Sequence, residues 1–418
     1  MSISRLSSHF KAAAFLAALW ALAGCSLFGG GSKPQPEVAA PTSEPAATEA
    51  PSLVAPPVTA TPIPANETPA PAPGTGGPHV EVGLLLPLSG QAASLGQAML
   101  EAAQMALFET GNDQLELLVR DSGGDAATAA AAAHSVIDGG AKLILGPLLS
   151  TEVEAVKPIA QAANVPLVAF STSTQLAGNG TWLLAFDPRQ EIQRVVVFAH
   201  AHGRNRFAAL VPASAYGDLA AQALKDSVQL SGATLGPTER YDPTATDLAP
   251  TVQDLAGEGS FDAVLLAEGG ARLKALAPLL PYYGIDPDQV KFLGTGLWAD
   301  QSVSTEPSLD GGWYAAPAPQ ARQDFEKRFA TLYKQQPPLL ATLGYDATAL
   351  AAVLARGANG PDFSVAAITN PSGFAGLNGI FRLLPDGITE RGLAVLEMHR
   401  TGSTVVDPAP TTFQKPQF

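Results

Sequence analysis

The 418-residue sequence holds one cysteine, six histidines and 7% aromatic residues, and it sets only 24 lysines and arginines against 38 acids. A lone cysteine forbids an intrachain disulfide, so no disulfide framework holds the fold. The formal net charge of −14 excludes the basic surface that nucleic acid demands, and it excludes electrostatic docking on anionic lipid headgroups. Beyond the first two dozen positions no stretch reaches the roughly eighteen uninterrupted apolar residues of a membrane-crossing helix. Catalytic signatures are missing as well. There is no Gly-x-Gly-x-x-Gly after a strand, no phosphate-binding loop, no Gly-x-Ser-x-Gly elbow and no zinc-type histidine motif. His200 and His202 are the only close histidine pair; they fall where a helix ends, and the helix dipole accounts for them better than metal. His134 sits in an alanine-rich helix with no cysteine or ordered acid beside it. The expectation is a non-enzyme with no cofactor and no metal. No short-period repeat marks a solenoid.

The N-terminus carries positive signals. Arg5 and Lys11 precede an apolar run from Ala12 to Ala23, which is too short to span a bilayer and has the layout of a secretory signal. It ends in Leu22-Ala23-Gly24-Cys25, which resembles the lipobox of bacterial lipoproteins. That resemblance implies removal of residues 1–24 and a lipid on Cys25. Ser26 follows, where an aspartate would suggest inner-membrane retention, so an outer-membrane address is allowed in a host that has that membrane. Between Phe28 and about Pro78 the chain is mostly Pro, Ala, Thr, Gly and Glu, and it cannot bury enough apolar surface to offset its ordering entropy. It reads as a disordered tether, with a reach on the order of 150 Å at about 3.1 Å per residue.

From Pro78 onward short apolar runs alternate with helical stretches. Strands are predicted at 80–86, 115–120, 143–146, 166–170, 207–211, 263–266 and 290–293. Helices are predicted at 95–110, 126–138, 151–163, 190–201, 218–230, 248–258 and 270–280. This alternation means βαβ units and parallel sheets covered on both faces. The fold class is therefore α/β, with two Rossmann-like, doubly wound sheets in succession.

The order of several motifs resembles the type I periplasmic binding proteins, in particular the leucine/isoleucine/valine-binding group. They are Val82-Gly83-Leu84-Leu85-Leu86-Pro87-Leu88-Ser89-Gly90, Gly146-Pro147-Leu148-Leu149-Ser150, the run Val165 to Thr174, Tyr216-Gly217 and Gly344-Tyr345-Asp346-Ala347. The resemblance runs from Val80 to His399. It implies two lobes joined by crossing hinge strands, with a ligand in the cleft between them. The crossings are expected near Phe198, Pro317 and Gly376. Lobe 1 then takes about 79–197 and 318–375, lobe 2 takes 198–317 and 376–400, and 401–418 is a tail.

Ser150, Ser171 and Ser173 follow apolar strands, in loops whose hydroxyls and N–H groups suit an anionic or carbonyl oxygen. Ser150 also suits a helix N-cap. The resemblance implies that these positions hold an α-carboxylate, that the Ser89 loop feeds the cleft, and that Tyr216 reaches in from lobe 2. Where amino-acid binders of that family carry a carboxylate, this chain has Gly296; Glu268 and Asp300 are nearby substitutes, and Trp298 could stack on a ring or pack as a lid. The implied ligand is a small polar molecule, an amino acid or amide, and the implied partner is an ABC permease.

A second resemblance is to the C-terminal domain of outer-membrane lipoproteins that activate penicillin-binding proteins. It rests on Leu84 to Gly90, Gly146 to Leu149, Gly376-Leu377-Asn378-Gly379 and Pro385-Asp386-Gly387. It implies a penicillin-binding protein as the alternative partner. This chain lacks that family's large helical-repeat domain. Both resemblances place the protein on the periplasmic face of the cell envelope, touching the membrane through its lipid alone.

Overall fold

The computed structural model describes residues 79–413 apart from 301, 358 and 359. The expected signal, Cys25 and the tether lie outside the described residues.

Lobe 1 is built from β1 (Val80–Leu86), α1 (Ala93–Thr110), β2 (Leu115–Asp121), α2 (Ala126–Asp138), β3 (Ile144–Leu145), α3 (Ser150–Ala162), β4 (Leu167–Ala169) and β5 (Thr181–Leu183). The strands form a parallel sheet in the order β2-β1-β3-β4-β5. β1 is buried along almost its whole length, as a central strand covered on both faces must be. Asp125 starts α2 by accepting the N–H groups of Ala127 and Thr128 at 3.0 Å each, which satisfies donors that a helix start leaves open.

Lobe 2 begins with α4 (Pro188–Ala201) and continues with β6 (Arg206–Pro212), α5 (Ala215–Ser231), β7 (Thr234–Tyr241), α6 (Ala249–Gly257), β8 (Ala263–Leu266), α7 (Gly270–Leu276), α8 (Leu279–Tyr282), β9 (Lys291–Gly294) and β10 (Trp313–Ala316). The chain returns to lobe 1 through α9 (Pro319–Tyr333), α10 (Ala341–Ala355) and α11 (Val365–Ile368). A small antiparallel sheet follows, β11 (Phe374–Gly376), β12 (Gly379–Leu383) and β13 (Thr389–Arg391). Lobe 2 is completed by β14 (Ala394–His399) and β15 (Gly402–Asp407). Its sheet runs β15-β14-β10-β9-β8-β6-β7, parallel except for the antiparallel pairs β10–β14 and β14–β15.

Each sheet is covered twice. In lobe 1, α1, α9 and α10 bury Met99, Phe325, Phe329 and Tyr345 on one face, and α2 and α3 bury Val136, Val153 and Val156 on the other. In lobe 2, α4 and α5 bury Ile192, Val196 and Leu224 on one face, opposite Leu255, Leu273 and Leu280 of α6 to α8.

Three segments cross between the lobes, and two of them lie elsewhere than expected. The first is at 185–187, not Phe198, because all of α4 packs on the lobe 2 sheet with Phe198 in that core. The second is at 317–318, next to Pro317. The third is at 392–393, not Gly376, because Gly376 to Gly379 forms a hairpin whose strands stay against the lobe 1 core through Phe374 and Phe381. Residues 402–407 are no tail; as β15 they form an edge of the lobe 2 sheet.

Strand order fixes where the loops part. In lobe 1 it reverses between β1 and β3, and in lobe 2 between β6 and β8. Open α/β sheets take ligands at such switch points, outside the carboxyl ends of the strands. The first helix of each switch sits close over its strand: a Cβ on Gly96 would come 2.0 Å from the Pro87 carbonyl oxygen, and one on Gly217 would come 1.8 Å from that of Pro212. Only glycine allows this approach, so both loops are short and held near the sheet.

Candidate functional site

Ser89 and Ser150 follow β1 and β3 at the lobe 1 switch, and both are exposed. Ser150 is the first residue of α3 and Leu149 is its N-cap, so the serine is not the cap its sequence allowed. The lobe 1 loops are braced by two carboxylates that the sequence did not single out. Asp121 accepts the N–H groups of Leu88 at 2.8 Å, Ser89 at 3.2 Å and Gly123 at 2.8 Å. Burial acts to raise its pKa, but hydrogen bonds from the Ser89 hydroxyl and these amides outweigh it and hold the carboxyl below its ordinary value. Glu152, wholly buried, accepts the N–H groups of Leu149 and Gly124 at 3.0 Å each. Ser171 is buried, and its Oγ accepts the N–H of Ser173 at 3.2 Å, which ties the two serines into one turn. A cavity of about 10 Å³ opens beside this turn, lined by Ser171, Thr172, Thr174, Asp187, Arg189 and Thr389.

Across the cleft, Tyr216 hydrogen-bonds the Thr295 hydroxyl at 3.1 Å. Burial pushes its phenol up to about 12, so it stays neutral and serves only as a hydrogen-bonding group. Glu268 is engaged at both oxygens, by the Tyr241 hydroxyl at 2.5 Å and the Gly269 N–H at 3.0 Å. Trp298 does not line the cleft. It is 1% exposed, packed in the lobe 2 core against Gly294, Gly312 and Tyr314, because its indole fills the space those glycines leave. Asp300 is exposed.

Gly296 is where the structure departs most from the sequence reading. A Cβ there would meet the Glu191 carboxylate at 2.7 Å, and the Gly296 N–H donates to Glu191 Oε2 at 2.9 Å. Glu191 comes from the first turn of α4, just after the first crossing, and is 7% exposed. Burial pushes its carboxyl up to about 7, with the Asp187 charge adding to the rise and the Gly296 N–H and Arg391 opposing it. Nothing in the sequence marked it, because an acid in a first turn after Asp187-Pro188 reads as ordinary helix capping.

The hinge beside it is also charged. Arg391, at the third crossing, is buried between the rings of Phe186 and Phe381, at 4.9 and 5.3 Å. Its Nε donates to the Ala185 carbonyl at 3.2 Å, its backbone N–H donates to Gln190 Oε1 at 3.0 Å, and its guanidinium lies 3.7 Å from Asp346. Asp346, wholly buried, also accepts the Leu377 N–H at 2.8 Å; burial raises its pKa and Arg391 opposes the rise. One arginine thus joins the first crossing, the third crossing and the lobe 1 core.

His202 bonds the Phe198 carbonyl through Nδ1 at 2.8 Å and stacks on that ring, His200 bonds the Arg204 carbonyl at 3.1 Å, and His134 is exposed on α2. Among the described residues no group of three or more His, Cys, Asp or Glu could hold a metal ion, and no helix is long and apolar enough to cross a membrane. A groove of about 490 Å³ runs along α4 and α5, lined by Arg189, Gln193, Leu219 and Gln222 among others. It follows the helices rather than the strand ends, and its polar groups do not converge as a small-molecule site requires.

Comparison with known proteins agrees with this geometry. A family model described as a periplasmic binding protein matches residues 79–403. Among solved structures, the chain is similar to a putative branched-chain amino acid ABC transporter from Rhodospirillum rubrum, at 22% identity and TM-score 0.70, covering 78% of this chain and 100% of that one. It is similar to a branched chain amino acid ABC transporter periplasmic ligand-binding protein from Burkholderia xenovorans, at 18% identity and TM-score 0.66, covering 81% and 97%. It is also similar to the substrate binding protein LivJ from Streptococcus pneumoniae, solved with isoleucine, at 20% identity and TM-score 0.56, covering 79% and 100%. At these identities the likeness is one of fold. An uncharacterised protein of Rickettsia prowazekii is 21% identical over 239 residues, which are 55% of this chain and 64% of that protein.

Proposed function

The chain belongs to the periplasmic binding protein family, and from that premise we propose that it captures a small polar ligand, an amino acid or amide, between its lobes for delivery to an ABC permease. The observation that supports this reading is that each lobe has a strand-order switch point, where open α/β sheets take their ligands. Ser89, Ser150, Ser171 and Ser173 come from lobe 1, and Tyr216, Thr295 and Glu268 from lobe 2. The lobe 1 hydroxyls and free helix-start amides suit a carboxylate or carbonyl oxygen, and the lobe 2 groups suit the polar remainder. Three crossing segments make a hinge, so a ligand that touches both walls binds the closed form better and shifts an existing equilibrium toward it. The permease then reads the closed shape. The protein is non-catalytic, and a lipid on Cys25 holds it to the membrane on the periplasmic side.

The test is calorimetric titration of the full chain with the common L-amino acids and their amides. At least one is expected to bind with 1:1 stoichiometry; heat of dilution alone across the whole panel would remove the capture reading. A second reading, activation of a penicillin-binding protein, draws on the lipobox and tether, which suit a protein working across the periplasm. Fractionation to the outer membrane together with a silent panel would favour it.

A further inference from the structure

Past β15 the chain touches lobe 1 again. Asp407, the last residue of that strand, pairs with Arg194 of α4 at 2.7 Å, and Arg194 Nε donates to the Leu393 carbonyl of the third crossing at 2.9 Å. Ala409 packs against the lobe 2 core. Pro410 lies over the third crossing, where a Cβ on Gly392 would come 3.1 Å from the Pro410 carbonyl oxygen and 3.2 Å from its ring. Phe413 then reaches the small antiparallel sheet of lobe 1. The guanidinium of Arg382, on β12, sits 4.6 Å from the centre of its ring, and a Cβ on Gly373 would come 2.8 Å from the ring edge. Gly373 has φ +71°, so glycine both permits the turn into β11 and leaves room for the ring. Arg382 is itself held by Glu390 at 2.7 Å and by the Pro371 carbonyl at 3.2 Å.

We propose that residues 408–413 are a strap that ties lobe 2 to lobe 1 outside the third crossing and limits rotation of the hinge. One end continues a strand of the lobe 2 sheet, and the other rests on the β11–β12 hairpin of lobe 1. The segment has little slack: from Ala409 to Phe413 the chain can span at most about 14 Å. Pro408 and Pro410 each fix one backbone torsion, which stiffens it further. A rotation of one lobe against the other therefore either strains the strap or lifts Phe413 from its seat. That seat combines apolar contact with a cation over the ring face, and it lies outside both lobe cores. The strap also lies past residue 403, where the family match ends.

The test needs no ligand, so its outcome is separate from that of capture. Spin labels on α3 and α5, through Glu154→Cys and Lys225→Cys in the full chain with Cys25→Ser, report the interlobe distance by pulsed dipolar measurement. Phe413→Ala is expected to widen the distance distribution. It should also speed hydrogen exchange about tenfold at the Gly392 amide, which donates to the Ile380 carbonyl at 2.8 Å beside the third crossing. Phe413→Tyr, which keeps a ring under Arg382, should leave both readouts as in the parent chain. A chain ending at Asp407 should match Phe413→Ala, and it decides the question if that variant does not fold. A distance distribution of unchanged width in these variants overturns the strap. Faster exchange at Gly392 with unchanged width overturns it too, because Phe413 would then brace the hairpin without restraining the hinge.

Discussion

Asp346→Ala is expected to destabilise the folded chain by about 3–5 kcal/mol, the loss typical when one partner of a buried ion pair is removed. The charge left behind is Arg391, sealed at the third crossing between Phe186 and Phe381, and the Leu377 N–H loses its acceptor as well. The pair itself is not a large stabiliser, since both charges must shed water to reach this site. A double replacement by apolar residues, Asp346→Leu with Arg391→Met, should therefore be far milder than the single change. Denaturant unfolding of Asp346→Leu, Arg391→Met and the double completes the cycle. A single-variant loss under about 1 kcal/mol would show that Arg391 finds another anion and that the pair does not hold the hinge.

Ser150→Ala combined with Ser173→Ala is expected to weaken ligand binding a hundredfold or more. Hydrogen bonds to a charged group contribute about 1.5–3 kcal/mol each, and in the proposed site the two hydroxyls would act on the same oxygen-bearing group. Stability should barely change, because Ser150 is exposed and no side-chain hydrogen bond of Ser173 braces the lobe. Titration calorimetry on the double variant reads the loss, and unchanged affinity would remove these serines from the site.

Much of the architecture was open to sequence reasoning because buried parallel strands are written as unbroken apolar runs. β1, α2 and β8 have the expected bounds, and the two sheets follow one another as expected. β7 escaped because it is an edge strand: Thr234 to Tyr241 is mostly polar, contains Pro237, and pairs with β6 alone. The crossings were misplaced for two different reasons. Phe198 lies within the helix expected at 190–201, and the whole of that helix packs on the lobe 2 sheet as α4, so the crossing comes before it. Gly376 to Gly379 looks like a link and is instead a tight hairpin turn.

Site residues divide in the same way. Candidates that open a helix shortly after a strand, such as Ser150 and Tyr216, follow from topology. Glu191, Arg391 and Asp346 do not, because their meaning lies in contacts between distant parts of the chain, 105 residues from Glu191 to Gly296 and 206 from Arg391 to Ala185, and no local spacing encodes that. Trp298 misled for the converse reason, since an aromatic after a glycine-rich turn suits a lid and a core equally.

The central claim, that ligand is held by closure of two hinged lobes, is tested most directly by an interlobe distance. Spin labels placed on exposed positions of α3 and α5, through Glu154→Cys and Lys225→Cys in a Cys25→Ser background, report it. Pulsed dipolar measurement with a saturating amino acid from the panel should show a shorter distance than the free protein. The same distance distribution with and without saturating ligand would contradict capture by closure.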